Sequence, residues 1–291
     1  MTQFWLNELH TKHEGKHTPE TEERFALLSR RGYVGKRGRV KEYQPYFSFA
    51  HDATYLMQLQ QETLVATEAE CNRGSYQAIA SYAALCLEAA DTIVQRNTDD
   101  IFIIGRPPGH HAHYNWTHGF CFINNAAVTA LYLQSLQKSV AVLDFDLHHG
   151  EGTEEILNRA APDSLLFIST YDAGNFPGKG YNLTQETHQG NTYHLPLTSL
   201  TDDSSFVSTI QKIEQKLEQF NPEVLVVSAG FDMNRHDSTS RIMQSPIKLT
   251  QRSYERLYQV CNKYPFIGIL EGGYSPRSVQ EGLKAFGLNN A

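Results

Sequence analysis

Val140-Ala141-Val142-Leu143-Asp144-Phe145-Asp146-Leu147-His148-His149-Gly150 begins as an apolar run and ends in carboxylates, imidazoles and a glycine. The run has the length and character of a strand buried on both faces. Its polar tail falls where open parallel sheets bind ligands, beyond the carboxyl ends of the strands. Working outward, four more runs have the same apolar character, at residues 101–104, 165–168, 224–227 and 266–270. Helical periodicity fills the intervals at 76–95, 124–137, 152–159, 202–220, 250–261 and 278–285. This alternation predicts an α/β fold with one central, mostly parallel sheet flanked by helices.

No repeat, linker or low-complexity tract interrupts that order, and clusters such as Pro107-Pro108-Gly109 and Phe176-Pro177-Gly178 fall between elements. A chain of 291 residues suits one large α/β unit, so residues 1–291 are expected to form a single domain. The first 65 residues are less regular. They predict a helix near 20–31, a Gly/Arg/Lys-rich segment at 31–41 and a short helix after His51, together covering one end of the sheet.

Apolar residues make up 40 % of the chain and charged residues 20 %, enough to bury a full core. The net charge of −7 repels phosphate backbones, which makes nucleic acid a poor partner and a cationic substrate a better one. Cys71, Cys86, Cys121 and Cys261 form no CxxC pair, which argues against a thiolate metal site and suits a reducing compartment. Neither a signal-like leader nor a run of membrane-spanning length is present, so the cytoplasm is expected.

Four strand ends carry chemistry. After 101–104 comes Gly105-Arg106-Pro107-Pro108-Gly109-His110-His111, two imidazoles on a turn fixed by prolines and glycines. After 140–145, strand alternation puts Asp144 and Asp146 on one side, and Asp146 with His148 forms a plausible pair of metal ligands. The run 224–227 leads through Ser228-Ala229-Gly230-Phe231 to Asp232, a further carboxylate on the same edge. Three protein ligands leave positions open for water and substrate, the arrangement of a catalytic rather than a structural zinc site. The run 266–270 enters Glu271-Gly272-Gly273-Tyr274, whose phenol could donate to a developing oxyanion. Singly, each signal has an ordinary structural explanation: a His-His pair is commonly incidental, and an Asp at a strand end is commonly a cap. Their joint placement at strand ends carries the inference.

Read together with Gly119-Phe120-Cys121-Phe122-Ile123-Asn124-Asn125, these motifs resemble the zinc-dependent histone deacetylase and acetylpolyamine amidohydrolase family, of the arginase/deacetylase fold. The likeness is densest over residues 101–274. The resemblance implies zinc held by Asp146, His148 and Asp232, although iron(II) suits the same oxygen and nitrogen donors. It implies His111 as general base, His110 as its electrostatic partner and Tyr274 as the group that polarises the scissile carbonyl. Asp144 would orient His110, and Glu151 would orient His111, where the family more often has Asp, Asn or Gln. A carboxylate there should raise the His111 pKa relative to an amide.

Gly119, Phe120 and Phe176 resemble the family's substrate tunnel, with ordinary core packing the alternative for either ring. A structural potassium ion held by Asp144, Asp146, His148, Ser169 and Thr170 is also implied. Glu271 draws the sequence toward class II deacetylases and bacterial amidohydrolases. His118, His149, His188, His194 and His236 are expected to be surface or satisfied core histidines, with His149 a candidate support for the metal site. The implied reaction is removal of an acetyl or other acyl group from protein lysine side chains, with a small acetylated amine such as an acetylpolyamine as the alternative substrate. A catalytically silent acyl-lysine reader would keep the tunnel but lack a chemical group. A ureohydrolase would need further aspartates for a second manganese.

Overall fold

The computed structural model describes residues 2–14, 18–28, 32–64, 71–96, 100–160, 164–178, 180–198, 200–237 and 246–288. Nine strands form one sheet: β1 (Gln3–Asn7), β2 (Val34–Lys36), β3 (Ile101–Ile104), β4 (Val140–Asp144), β5 (Leu165–Asp172), β6 (Thr187–Gln189), β7 (Thr192–Leu197), β8 (Val224–Ala229) and β9 (Phe266–Leu270). Their order is β2-β1-β3-β9-β8-β4-β5-β7-β6. All pairings are parallel except β6 with β7.

The helices are α1 (Val40–Tyr43), α2 (Ala53–Gln60), α3 (Ser75–Arg96), α4 (Asn125–Ser135), α5 (Glu151–Ala160), α6 (Phe206–Phe220), α7 (Gln251–Cys261) and α8 (Pro276–Ala285). The central strands read as unbroken apolar runs because both faces of the sheet are covered. Ile101, Ile103, Val140, Val142, Val226 and Ile267 enter a core with α3 and α4. Their neighbours Phe102, Ile104, Leu143, Val227 and Leu270 enter a second core with α6, α7 and α8. The period-two alternation is thus hidden in the sequence and plain in the structure.

The N-terminal region departs from expectation. It supplies β1 and β2 to the sheet instead of only covering one end. Of the helix expected over 20–31, the described part is a 3-10 turn at Glu22–Phe25, and residues 29–31 lie outside the described residues. The helix after His51 is α2, started by Asp52, whose carboxylate accepts from the Thr54 and Tyr55 amides.

The strand order sets up the site. β3, β9, β8 and β4 are consecutive neighbours, so the four polar tails read from the sequence emerge side by side on one edge.

Candidate active site

β4 ends at Asp144, paired in register with Ser228 of β8. The chain then turns as the Asp146 amide donates to Asp144 Oδ1 at 3.1 Å. One oxygen of each following carboxylate is fixed by backbone: Asp146 Oδ2 accepts from Gly272 N at 2.7 Å, and Asp232 Oδ1 from Leu147 N at 2.9 Å. The other oxygens converge on His148 Nδ1, with Asp146 Oδ1 at 3.0 Å and Asp232 Oδ2 at 3.1 Å.

All three side chains are buried, and Asp232 Oδ2 receives no hydrogen bond of good geometry. Burial and the Asp146 charge push Asp232 up to about 7. Burial would lower His148, but its hydrogen bond to Asp146 and the adjacent carboxylates of Asp146 and Asp232 outweigh that and raise it to about 10. Two carboxylate oxygens and a ring nitrogen converging in a buried space, one oxygen without a donor, form a donor set that fits a divalent cation. Only glycine fits beside it: a Cβ at Gly230 would lie 2.1 Å from Asp146 Oδ2, and one at Gly272 would lie 2.5 Å from Asp232 Oδ2.

The histidine turn is held from two directions. Glu271 Oε2 accepts from the Gly109 and His110 amides at 2.6 and 3.2 Å, and the Asn124 side chain donates to the carbonyls of His110 and Ala112. The two rings stand 3.9 Å apart, centroid to centroid. His110 Nδ1 lies 3.0 Å from Asp144 Oδ2, and its Nε2 lies 3.8 Å from Asp146 Oδ1. His111 Nδ1 lies 2.6 Å from Glu151 Oε2.

Their electrostatics diverge. Burial opposes charge on His110, but Asp144 and Asp146 overcome it and hold the ring well above its ordinary pKa. On His111 burial wins, helped by the neighbouring His110 charge, and the pKa falls to about 3 although Glu151 pulls the other way. Glu151 therefore has the direction of influence expected for it, but it does not bring His111 above the ordinary imidazole value.

Glu151 serves more than His111. Its Oε1 lies 2.5 Å from His118 Nδ1 and 3.5 Å from His113 Nε2, while His113 also bonds Glu155 and stacks on Trp116 at 3.9 Å. His118, expected to be a surface or satisfied core histidine, is half-buried and satisfied by Glu151, which makes it part of this network. The only sequence signal was the crowding of four histidines into residues 110–118.

Tyr274 follows Gly273, whose φ of +108° is a conformation suited to glycine. Asp237 Oδ2 accepts from the Tyr274 amide at 2.7 Å. Arg24, which sequence reasoning missed, is buried with its guanidinium 5.0 Å from the Tyr274 ring centroid, and it donates to the carbonyls of Gly273 and Glu271. Its ion pair with Glu20, which also bonds Arg106, ties the N-terminal segment to the site. A Glu and an Arg four residues apart was the available signal, and it is too common on surfaces to stand out.

Phe120 and Phe176 are half-buried. Phe120 meets the Tyr274 ring at 6.0 Å, and Phe176 meets His111 at 4.9 Å and His148 at 5.9 Å. Gly119, at φ +50°, lets this segment approach: a Cβ there would lie 2.3 Å from His111 Cδ2. Of the residues expected around potassium, Asp144 and Ser169 pair across β4 and β5, and the buried Thr170 hydroxyl has no hydrogen-bond partner among the described residues.

The histone deacetylase domain model matches residues 16–288. The chain belongs to the histone deacetylase family. It is 29 % identical to a probable deacetylase of Archaeoglobus fulgidus over 94 % of this chain and 82 % of that protein. It is 33 % identical to an acetylpolyamine amidohydrolase of Burkholderia pseudomallei over 68 % of this chain and 58 % of the other. With histone deacetylase 15 of Arabidopsis thaliana it shares 34 % identity over 74 % of this chain and 40 % of that protein. Among solved structures, the HDA15 HD domain superposes with a TM-score of 0.85 at 26 % identity, covering 98 % of this chain and 87 % of that one. This histone deacetylase-family chain is accordingly an amidohydrolase by membership, and its fold is the nine-stranded α/β fold of its relatives. Among the described residues, no helix is long and apolar enough to cross a membrane.

Proposed function

We propose that the chain is a zinc-dependent deacetylase that hydrolyses the acetyl amide of lysine side chains in proteins. The observation that carries this reading is the pair of adjacent imidazoles, His110 held by Asp144 and His111 held by Glu151, beside the converging donor atoms of Asp146, His148 and Asp232. Asp146, His148 and Asp232 would hold the ion, for which iron(II) is an alternative. When bound there, zinc supplies Lewis acidity toward the carbonyl and the attacking water.

His111, neutral at working pH, takes the proton of that water at Nε2, because its Nδ1 is committed to Glu151. His110 stays protonated against Asp144 and adds positive charge where the oxyanion develops. The Tyr274 hydroxyl donates to the same oxygen. His111 then returns the proton to the departing amine. Phe120, Phe176 and Gly119 would line the path of the lysine stem, whose methylenes suit aromatic walls.

The rest of the reading follows from it. We propose further that residues 1–291 act as one catalytic domain in the cytoplasm, and that Asp144, Asp146, His148, Ser169 and Thr170 would hold a structural potassium ion. A silent acyl-lysine reader is disfavoured because the ligand set, both imidazoles and the phenol are all present. The similarity to an acetylpolyamine amidohydrolase supports small acetylated amines as the second reading. Turnover on an acetyl-lysine peptide and on acetylputrescine and acetylspermidine, measured side by side, separates the two. Preference for the peptide is expected, and strong preference for the polyamines would replace the protein substrate with a small one.

A further inference from the structure

His149, next in sequence to His148, turns away to a different group. Its Nε2 lies 2.7 Å from Glu154 Oε2, and its Nδ1 lies 2.9 Å from Ser169 Oγ. From β7, His194 brings its Nε2 to 3.3 Å from Glu154 Oε1, and its Nδ1 lies 3.2 Å from the Tyr171 hydroxyl. The strands explain the convergence. Ser169 pairs in register with His194, and Tyr171 lies two residues on, so all three share one face of the sheet. Glu154 descends onto that face from the first turn of α5.

Two imidazoles therefore aim Nε2 at one carboxylate, and each ring is oriented through Nδ1 by a hydroxyl, the pattern by which metal-binding histidines are held. Ligand atoms of all three lie within 4.8 Å of one another. They also line a cavity of about 370 Å³, which gives an ion a route in and room for water to complete its shell.

We propose that His149, Glu154 and His194 form a second divalent transition-metal site, of the zinc class, separate from the Asp146, His148 and Asp232 site. Its ion would fasten α5, which carries Glu151, to β7 and to the loop that follows β4. A triad held only by its own hydrogen bonds is the competing description, and it binds no metal.

The test is zinc stoichiometry of the full chain, stripped with chelator and reloaded, with cobalt(II) absorption as a second readout. Wild type should hold two zinc ions per chain. His194→Ala and Glu154→Gln should each hold one, and Asp232→Ala should also keep one. Glu154 has a side chain 21 % exposed, so Glu154→Gln tests the site even if His194→Ala does not fold. A wild type with a single ion that both variants retain would overturn the second site. A single ion lost in Glu154→Gln but kept in Asp232→Ala would support this site and refute the first one instead.

Discussion

Glu151 Oε2 stands 2.6 Å from His111 Nδ1 while its other oxygen stands 2.5 Å from His118 Nδ1, so one buried carboxylate is shared by two imidazoles. Burial alone would raise the Glu151 pKa, but the attraction between its carboxylate and the His111 ring, with the hydrogen bonds to His111 and His118, holds it well below its ordinary value. It stays charged and opposes the lowering of His111.

Glu151→Gln should therefore drop the His111 pKa further. The acid limb of kcat/KM against pH should move to lower pH by about one unit, equivalent to about 1.4 kcal/mol. A limb that stays in place or moves upward would contradict the coupling between these two residues.

For Tyr274→Phe, the loss is confined to one hydroxyl. Turnover should fall by about 10²- to 10³-fold, the usual cost of removing an oxyanion donor. Zinc content, measured on the same preparation, should not change. Unaltered turnover would remove Tyr274 from the chemistry.

His51 supports a prediction about stability. Its Nε2 accepts from the Asn124 amide at 2.9 Å, so Nδ1 carries the proton and bonds the His113 carbonyl at 3.0 Å. Burial lowers its pKa from 6.5 to about 4. With the folded value below the unfolded one, stability is full above pH 6.5 and declines as pH falls toward 4, because only the unfolded chain takes up the proton. Gln at this position can donate and accept in the same places without titrating. Between pH 7.5 and 5, urea unfolding of wild type should lose about 2 kcal/mol more than that of His51→Gln. Equal losses would show that His51 is not a source of acid sensitivity.

Which parts of this were legible in the sequence follows from burial. β3, β4, β8 and β9 are covered on both faces, so they read as apolar runs, and their polar tails mark the site edge. The apolar run ends at Ile168, but β5 continues to Asp172, because Ser169 and Tyr171 are buried while bonding His149 and His194, partners that sequence alone does not reveal. β7 was missed: Pro196 and His194 interrupt its apolar character, and proline reads as a strand breaker. β2 is a three-residue edge strand with little periodicity, and β1, though paired on both sides, offers an apolar stretch of only Phe4-Trp5-Leu6. Within the site, the residues adjacent to strand ends converge as their positions in the sequence suggest, whereas the burial of Arg24 against Tyr274 and the bond of His118 to Glu151 depend on contacts between distant segments.

Whether a metal held on Asp146, His148 and Asp232 carries the hydrolysis can be read from acetate release on an acetyl-lysine peptide, measured together with zinc content. Wild type should release acetate, lose that activity on chelation and regain it with zinc, while Asp232→Ala should lose catalysis and the catalytic zinc together. Acetate release that persists after complete chelation, or full activity in Asp232→Ala, would rule out metal-dependent hydrolysis at this site.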